Sequence, residues 1–254
     1  MPRPPAARVL RACVLSAIVL LAAGACTSGL SGRSSGAAPS AVTTPPGAPG
    51  SGLTAAEAQA ALLTVADLGT PWAPTEGAAT WRDGVLKAQT DAPDCRRLLD
   101  ALYTDEPLGA TTGPHAVAAF DDGADQAQLR YQVLALRPAD VDRALAWMRT
   151  LPRTCARFTA ATTRDGQQDV QVFELPLPDV GDARQGLRVV FHGESADGEA
   201  TTLTLEVAAV RVGDGALTLT DGAAGSVPAN FAGQAVQLGA QRLTDVQRQA
   251  HAQA

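Results

Sequence analysis

Two spacings of apolar residues organise the chain from Leu53 onward. Val141, Leu145, Met148 and Leu151 stand at i, i+4, i+7 and i+10, which lines them along one helix face. Pro138 suits the first turn of that helix, and Pro152 is expected to end it. The run Gln128-Leu129-Arg130-Tyr131-Gln132-Val133 alternates with period two instead, the pattern of a strand with one covered face. Upstream, Thr54 and Glu57 form a capping box for a helix that runs through Ala61, Leu62 and Leu63 and stops at Asp67-Leu68-Gly69-Thr70-Pro71. Asp91-Ala92-Pro93-Asp94-Cys95 opens another, with acidic residues at its positive end and Leu98, Leu99 and Leu102 as its apolar stripe.

Strands are predicted over 115–120, 128–137, 156–160, 169–175, 186–193 and 199–212, the last turning back through Gly213-Asp214-Gly215 into 216–220, a hairpin of the Asp-Gly type. From Pro228 a closing helix carries Phe231, Ala235, Leu238, Val246 and Ala250 on or near one face. About four helices and six strands make a single α+β domain: a mainly antiparallel β-sheet with packed helices, one disulfide and a C-terminal helix.

The segment before this domain has a different grammar. Arg3, Arg8 and Arg11 precede a charge-free apolar run, Ala12 to Ala23, which is too short to span roughly 30 Å of hydrocarbon as a helix. It ends in Ala23-Gly24-Ala25 directly before Cys26, a combination that resembles the bacterial lipobox, in which the cysteine becomes the first mature residue and is diacylated. Residues 1–25 are therefore expected to be a lipoprotein signal peptide and Cys26 the lipidation site. Two acyl chains hold a protein to a bilayer where one does so only marginally, so the expected location is the outer face of the cytoplasmic membrane. Residues 26–52 are dominated by Gly, Ser, Ala, Pro and Thr, with Arg33 the one charge, and read as a disordered tether. Residues 53–254 form the folded domain.

Composition removes several functions. Without the signal, 17 basic residues face 26 acidic ones, close to −9, and nucleic acid is disfavoured as a partner. Lys87 is the only lysine, and its surroundings fit neither a phosphate-binding loop, a Ser-x-x-Lys site nor a Schiff base; it reads as a solvated strand residue. Trp72 and Trp81 stand in a Pro/Gly-rich segment with packing as their expected role. Once Cys26 is assigned to lipid and Cys13 to the discarded leader, Cys95 and Cys155 remain, and an even remainder in an exported chain reads as a disulfide. Closing such a loop stabilises a fold by roughly 4 kcal/mol in the chain-entropy picture.

The run Leu62-Leu63-Thr64-Val65-Ala66-Asp67-Leu68-Gly69, Cys95 with Leu98 and Leu99 behind it, the helix 143–151 leading to Cys155, and Val210-Arg211-Val212-Gly213 before the hairpin together resemble the PknH-like extracellular sensor domain of actinobacteria. That family occurs both as the external part of receptor serine/threonine kinases and as free-standing lipoproteins. The resemblance extends over most of 53–250 and implies a compact α+β domain whose cleft takes an unidentified extracellular ligand or envelope protein. Kinase-linked members carry a second disulfide, for which this chain has no cysteines left.

Candidate chemistry is sparse. His115, His192 and His251 are the only histidines. His192 opens a polar stretch to Glu199 that reads as a turn between strands, His115 begins a strand, and His251 lies in the solvated tail. Asp121, Asp122 and Asp125 lack the length and closing Glu of an EF-hand loop, which leaves weak adventitious Ca²⁺ at most. No catalytic residue, cofactor or metal ligand is assigned, and the expected role is a non-catalytic sensor or ligand-binding domain. A cell-envelope hydrolase using His192 or His115, or a structural lipoprotein, is the alternative.

Overall fold

The computed structural model describes residues 52–79, 81–123, 126–162, 166–195 and 197–253. The expected signal peptide, acylation at Cys26 and tether up to Ser51 lie outside them. Among the described residues nine strands form one sheet in which every neighbouring pair is antiparallel. They are β1 (Ala73–Pro74), β2 (Ala88–Gln89), β3 (His115–Asp122), β4 (Ala127–Ala135), β5 (Arg157–Thr162), β6 (Gln167–Glu174), β7 (Ala183–Glu194), β8 (Ala200–Val212) and β9 (Gly215–Ala224), in the spatial order β1-β3-β4-β9-β8-β7-β6-β5-β2. The helices are α1 (Ala55–Ala60), α2 (Val65–Leu68), α3 (Pro93–Thr104), α4 (Pro138–Thr154) and α5 (Phe231–Gln253), with a π-helical turn at Arg82–Leu86.

Strands β8 and β9 stand at the centre and are covered on both sides, so 203–210 are buried without interruption. Leu203, Leu205, Val207 and Ala209 point into a core built with α3 and α4. Ala208, Val210 and Val212 point the other way, into a core built with α1 and α5. The two helix layers are staggered. The α3/α4 layer covers the sheet from β9 towards β5, and the α1/α5 layer covers it from β8 towards β3. Among the described residues a part of each sheet face is thus left without a helix: the α3/α4 side of β3 and β4, and the α5 side of β5, β6 and β7.

Local chemistry explains where the boundaries depart from expectation. The Thr54 hydroxyl accepts from the amide of Glu57 (3.2 Å), and the Glu57 carboxylate accepts from the amide of Thr54 (2.6 Å), as the capping box requires. The helix it starts is shorter than expected, because a second cap intervenes: the Asp67 carboxylate accepts from the amide and hydroxyl of Thr64 and starts α2. Pro152 does not end α4. It removes one hydrogen bond inside the last turn, but the amide of Cys155 still donates to the Leu151 carbonyl (2.8 Å). The β8–β9 hairpin pairs Val212 with Gly215, so its central residues are Gly213 and Asp214; positive φ is needed only at Gly213 (55°), and the expected Asp-Gly order is reversed.

Trp72 is buried and stacked on Phe231 with centroids 4.9 Å apart, while Trp81 packs against the α3/α4 core, so both have packing roles. Lys87 is exposed immediately before β2. Gly239 of α5 lies where an added Cβ would stand 2.5 Å from the Tyr131 hydroxyl, so only glycine lets α5 settle on β4 there. Cys95 and Cys155 form the expected disulfide, with Cα atoms 5.6 Å apart, joining the first turn of α3 to the end of α4.

Candidate binding site

The pleat of β4 sends Leu129, Tyr131 and Val133 into the α5-side core, so Arg130, Gln132 and Leu134 face the opposite side. There β3 and β4 have no helix above them. The chain leaving α3 forms a partial roof instead, and the space beneath is a recess of about 160 Å³ lined by Arg130, Gln132, Thr111, His115, Val117 and Thr218, among others.

Asp105 builds the inner wall. It is the residue at which α3 stops, with φ of 59°, a left-handed conformation that Asp tolerates better than most side chains. Its side chain is 4% exposed and meets two guanidinium groups. Arg82 holds both carboxylate oxygens, at 3.2 and 2.5 Å, and also donates to the carbonyl of Tyr103. Arg130 comes nearest through Nε, 2.9 Å from Oδ2, close enough for an ion pair but off the angle of a hydrogen bond. The Gln132 amide donates to the Asp105 main-chain carbonyl at 2.5 Å and fixes the roof to the floor. One buried carboxylate therefore serves two arginines, and the other carboxylate of the lining, Glu106, is exposed. Among the described residues the two Nη nitrogens of Arg130 meet no acceptor.

The other uncovered part inverts this balance. Across the α5 side of the sheet, register aligns Phe120, Leu129, Asp221, Glu206, Arg188 and Phe173 in one row. Glu206 is 1% exposed and accepts from Arg188 through Nε (3.0 Å) and Nη2 (2.5 Å). Asp221, directly opposite Glu206, is fully buried, and neither of its oxygens has a hydrogen-bond partner among the described residues. Burial, and then the charges of Glu206 and Asp122, push its carboxyl up to about 7. Here buried carboxylates outnumber the arginine.

The residues singled out from sequence do not converge. His115 is exposed at the recess mouth, with Nδ1 3.2 Å from the Gly113 carbonyl. His192 lies within β7 and not in a turn, because the β7–β8 ladder continues to the Glu194–Ala200 pair; its Nδ1 is 3.2 Å from the Thr202 hydroxyl. His251 is exposed in the last turn of α5 rather than in a tail. Asp121 accepts from Thr75 and Gln128, each at 2.8 Å, whereas the pleat turns Asp122 to the other face; Asp125 is outside the described residues. Sequence reasoning missed Asp105, Arg82, Arg130, Glu206 and Asp221. The alternation through β4 was the available signal for Arg130 and Gln132, since every second residue after Leu129 had to leave the core.

No family model matches the chain, and no curated protein does. Among solved structures it is similar to the extracellular domain of PknH from Mycobacterium tuberculosis, with 18% sequence identity and a TM-score of 0.43, over 75% of this chain and 94% of that one.

Proposed function

We propose that this chain is a lipid-anchored extracytoplasmic binding domain with a non-catalytic role, and that the recess over β3 and β4 is where it meets its ligand. The observation that carries this reading is the guanidinium of Arg130: it is steadied at Nε by a buried carboxylate, and its outer edge is left open to the recess. Few convergent polar groups on a preformed concave floor are what small-ligand recognition needs. The imidazoles of His115 on β3 and His192 on β7 stand four strands apart and do not form one site.

Attachment through Cys26 rests on the leader and on the small residues before the cysteine. The Cys95–Cys155 disulfide agrees with an oxidising compartment. Replacing Cys26 by Ser should release the folded, disulfide-bonded domain into the medium. Tight membrane retention of that variant in fractionation would remove the anchoring part of the reading. Native mass spectrometry of the protein taken from its own envelope tests the binding part, the expected outcome being a co-purifying ligand that is lost in Arg130→Gln.

A further inference from the structure

We propose that the recess over β3 and β4 recognises a carboxylate, held bidentately by the Nη1/Nη2 edge of Arg130. The inference rests on the reading of this recess as a binding site and adds the chemical class of its ligand. A guanidinium has two edges that match a carboxylate. Asp105 occupies the Nε side of Arg130, and the other edge has no acceptor among the described residues. Arg82 already engages both oxygens of Asp105, so the buried carboxylate only partly meets the charge of Arg130, and the other carboxylate in the lining, Glu106, is solvent-exposed.

Preorganisation adds to this. Asp105 is buried, its main chain is tied to Gln132, and Arg82 donates to Tyr103, so the group that aims Arg130 is fixed from three directions. Thr218, 1% exposed, and Thr111 bring hydroxyls to the lining, while Val117 and Leu134 supply an apolar wall for a short aliphatic stem. Glu106, exposed in the lining, opposes anions generally and so disfavours a dianion most. The volume of about 160 Å³ suits a small monocarboxylate or the carboxyl end of a chain, not a bulky anion.

The test uses the full chain and three probes: acetate, N-acetyl-alanyl-alanine with a free carboxyl end, and the same dipeptide as its methylamide. Calorimetric titration should show the free acid binding at least about tenfold more tightly than the methylamide, the factor expected when a charge-assisted pair of hydrogen bonds is lost. Arg130→Gln should weaken the acid by a similar factor, and Arg130→Lys should restore part of it. Phenylglyoxal labelling mapped by peptide mass spectrometry should show Arg130 protected by the acid and not by the methylamide, a comparison on unaltered protein that does not depend on a variant folding. Acetate matching the dipeptide acid would support a free small carboxylate as the ligand group, and a tighter dipeptide acid would support a chain end. Equal binding of acid and methylamide, both protecting Arg130, would overturn the carboxylate assignment while leaving the recess a binding site. Binding of none of the three probes would overturn both.

Discussion

The two uncovered regions of the sheet use the same parts in opposite proportion. Over β3 and β4, one buried carboxylate, Asp105, is shared by Arg82 and Arg130. On the α5 side, Glu206 and Asp221 stand side by side, and Arg188 engages Glu206 alone. The first arrangement leaves an open cationic edge, which favours a ligand. The second leaves an unmatched acid, which is met by a proton. Whether an arginine on an open sheet face keeps an unengaged edge therefore depends on the count of buried charges behind it.

The largest expected effect breaks the acidic side of this comparison. The unfolded carboxyl of Asp221 loses its proton near its ordinary value of 3.8, whereas the folded one keeps it to about 7. Between those values the folded state binds the extra proton, so stability declines as pH rises from about 4 to about 7 and levels off above. Asp221→Asn should abolish this slope and raise stability at pH 8 by roughly 4 kcal/mol at most, with little change near pH 4. Urea unfolding of both proteins at the two pH values measures it, and equal gains at both would mean that Asp221 is not the titrating group. On the cationic side, Asp105→Asn preserves the left-handed turn but leaves two arginines without their counter-charge. A loss of about 3 kcal/mol is expected; a neutral outcome would show the recess wall to be held by packing alone.

A smaller effect probes the cap that opens the domain. Thr54→Ala should cost about 1 kcal/mol by removing the acceptor for the Glu57 amide. The least is expected at Phe173, 47% exposed on the open side of β6. Phe173→Ser should change stability by less than about 0.5 kcal/mol, and a larger loss would show that this region is covered in solution.

The sequence was most informative where one rule acts alone. The stripe Val141, Leu145, Met148 and Leu151 is the buried face of α4, and the two cysteines left after the leader are the two that pair. The alternation Leu129, Tyr131, Val133 described β4 correctly and also held the direction of Arg130. Strands β1 and β2 were not legible, because two residues carry no period and their pairing is decided by β3 and β5. The site was least visible. Asp105, Arg82 and Arg130 are 23 and 25 residues apart in sequence and meet only through the end of α3 and the register of β4. His192 invited a catalytic reading by its polar neighbours, yet the long β7–β8 ladder draws it into a strand, where successive side chains point apart.

The Cys95–Cys155 bridge closes a covalent loop that contains α3, β3, β4 and α4, and with them Asp105, His115, Arg130 and Gln132. A protease that nicks the backbone once anywhere between the two cysteines leaves a single covalent molecule, with both walls of the recess still attached. The domain can thus be cut within the segment that walls the recess and still keep that segment.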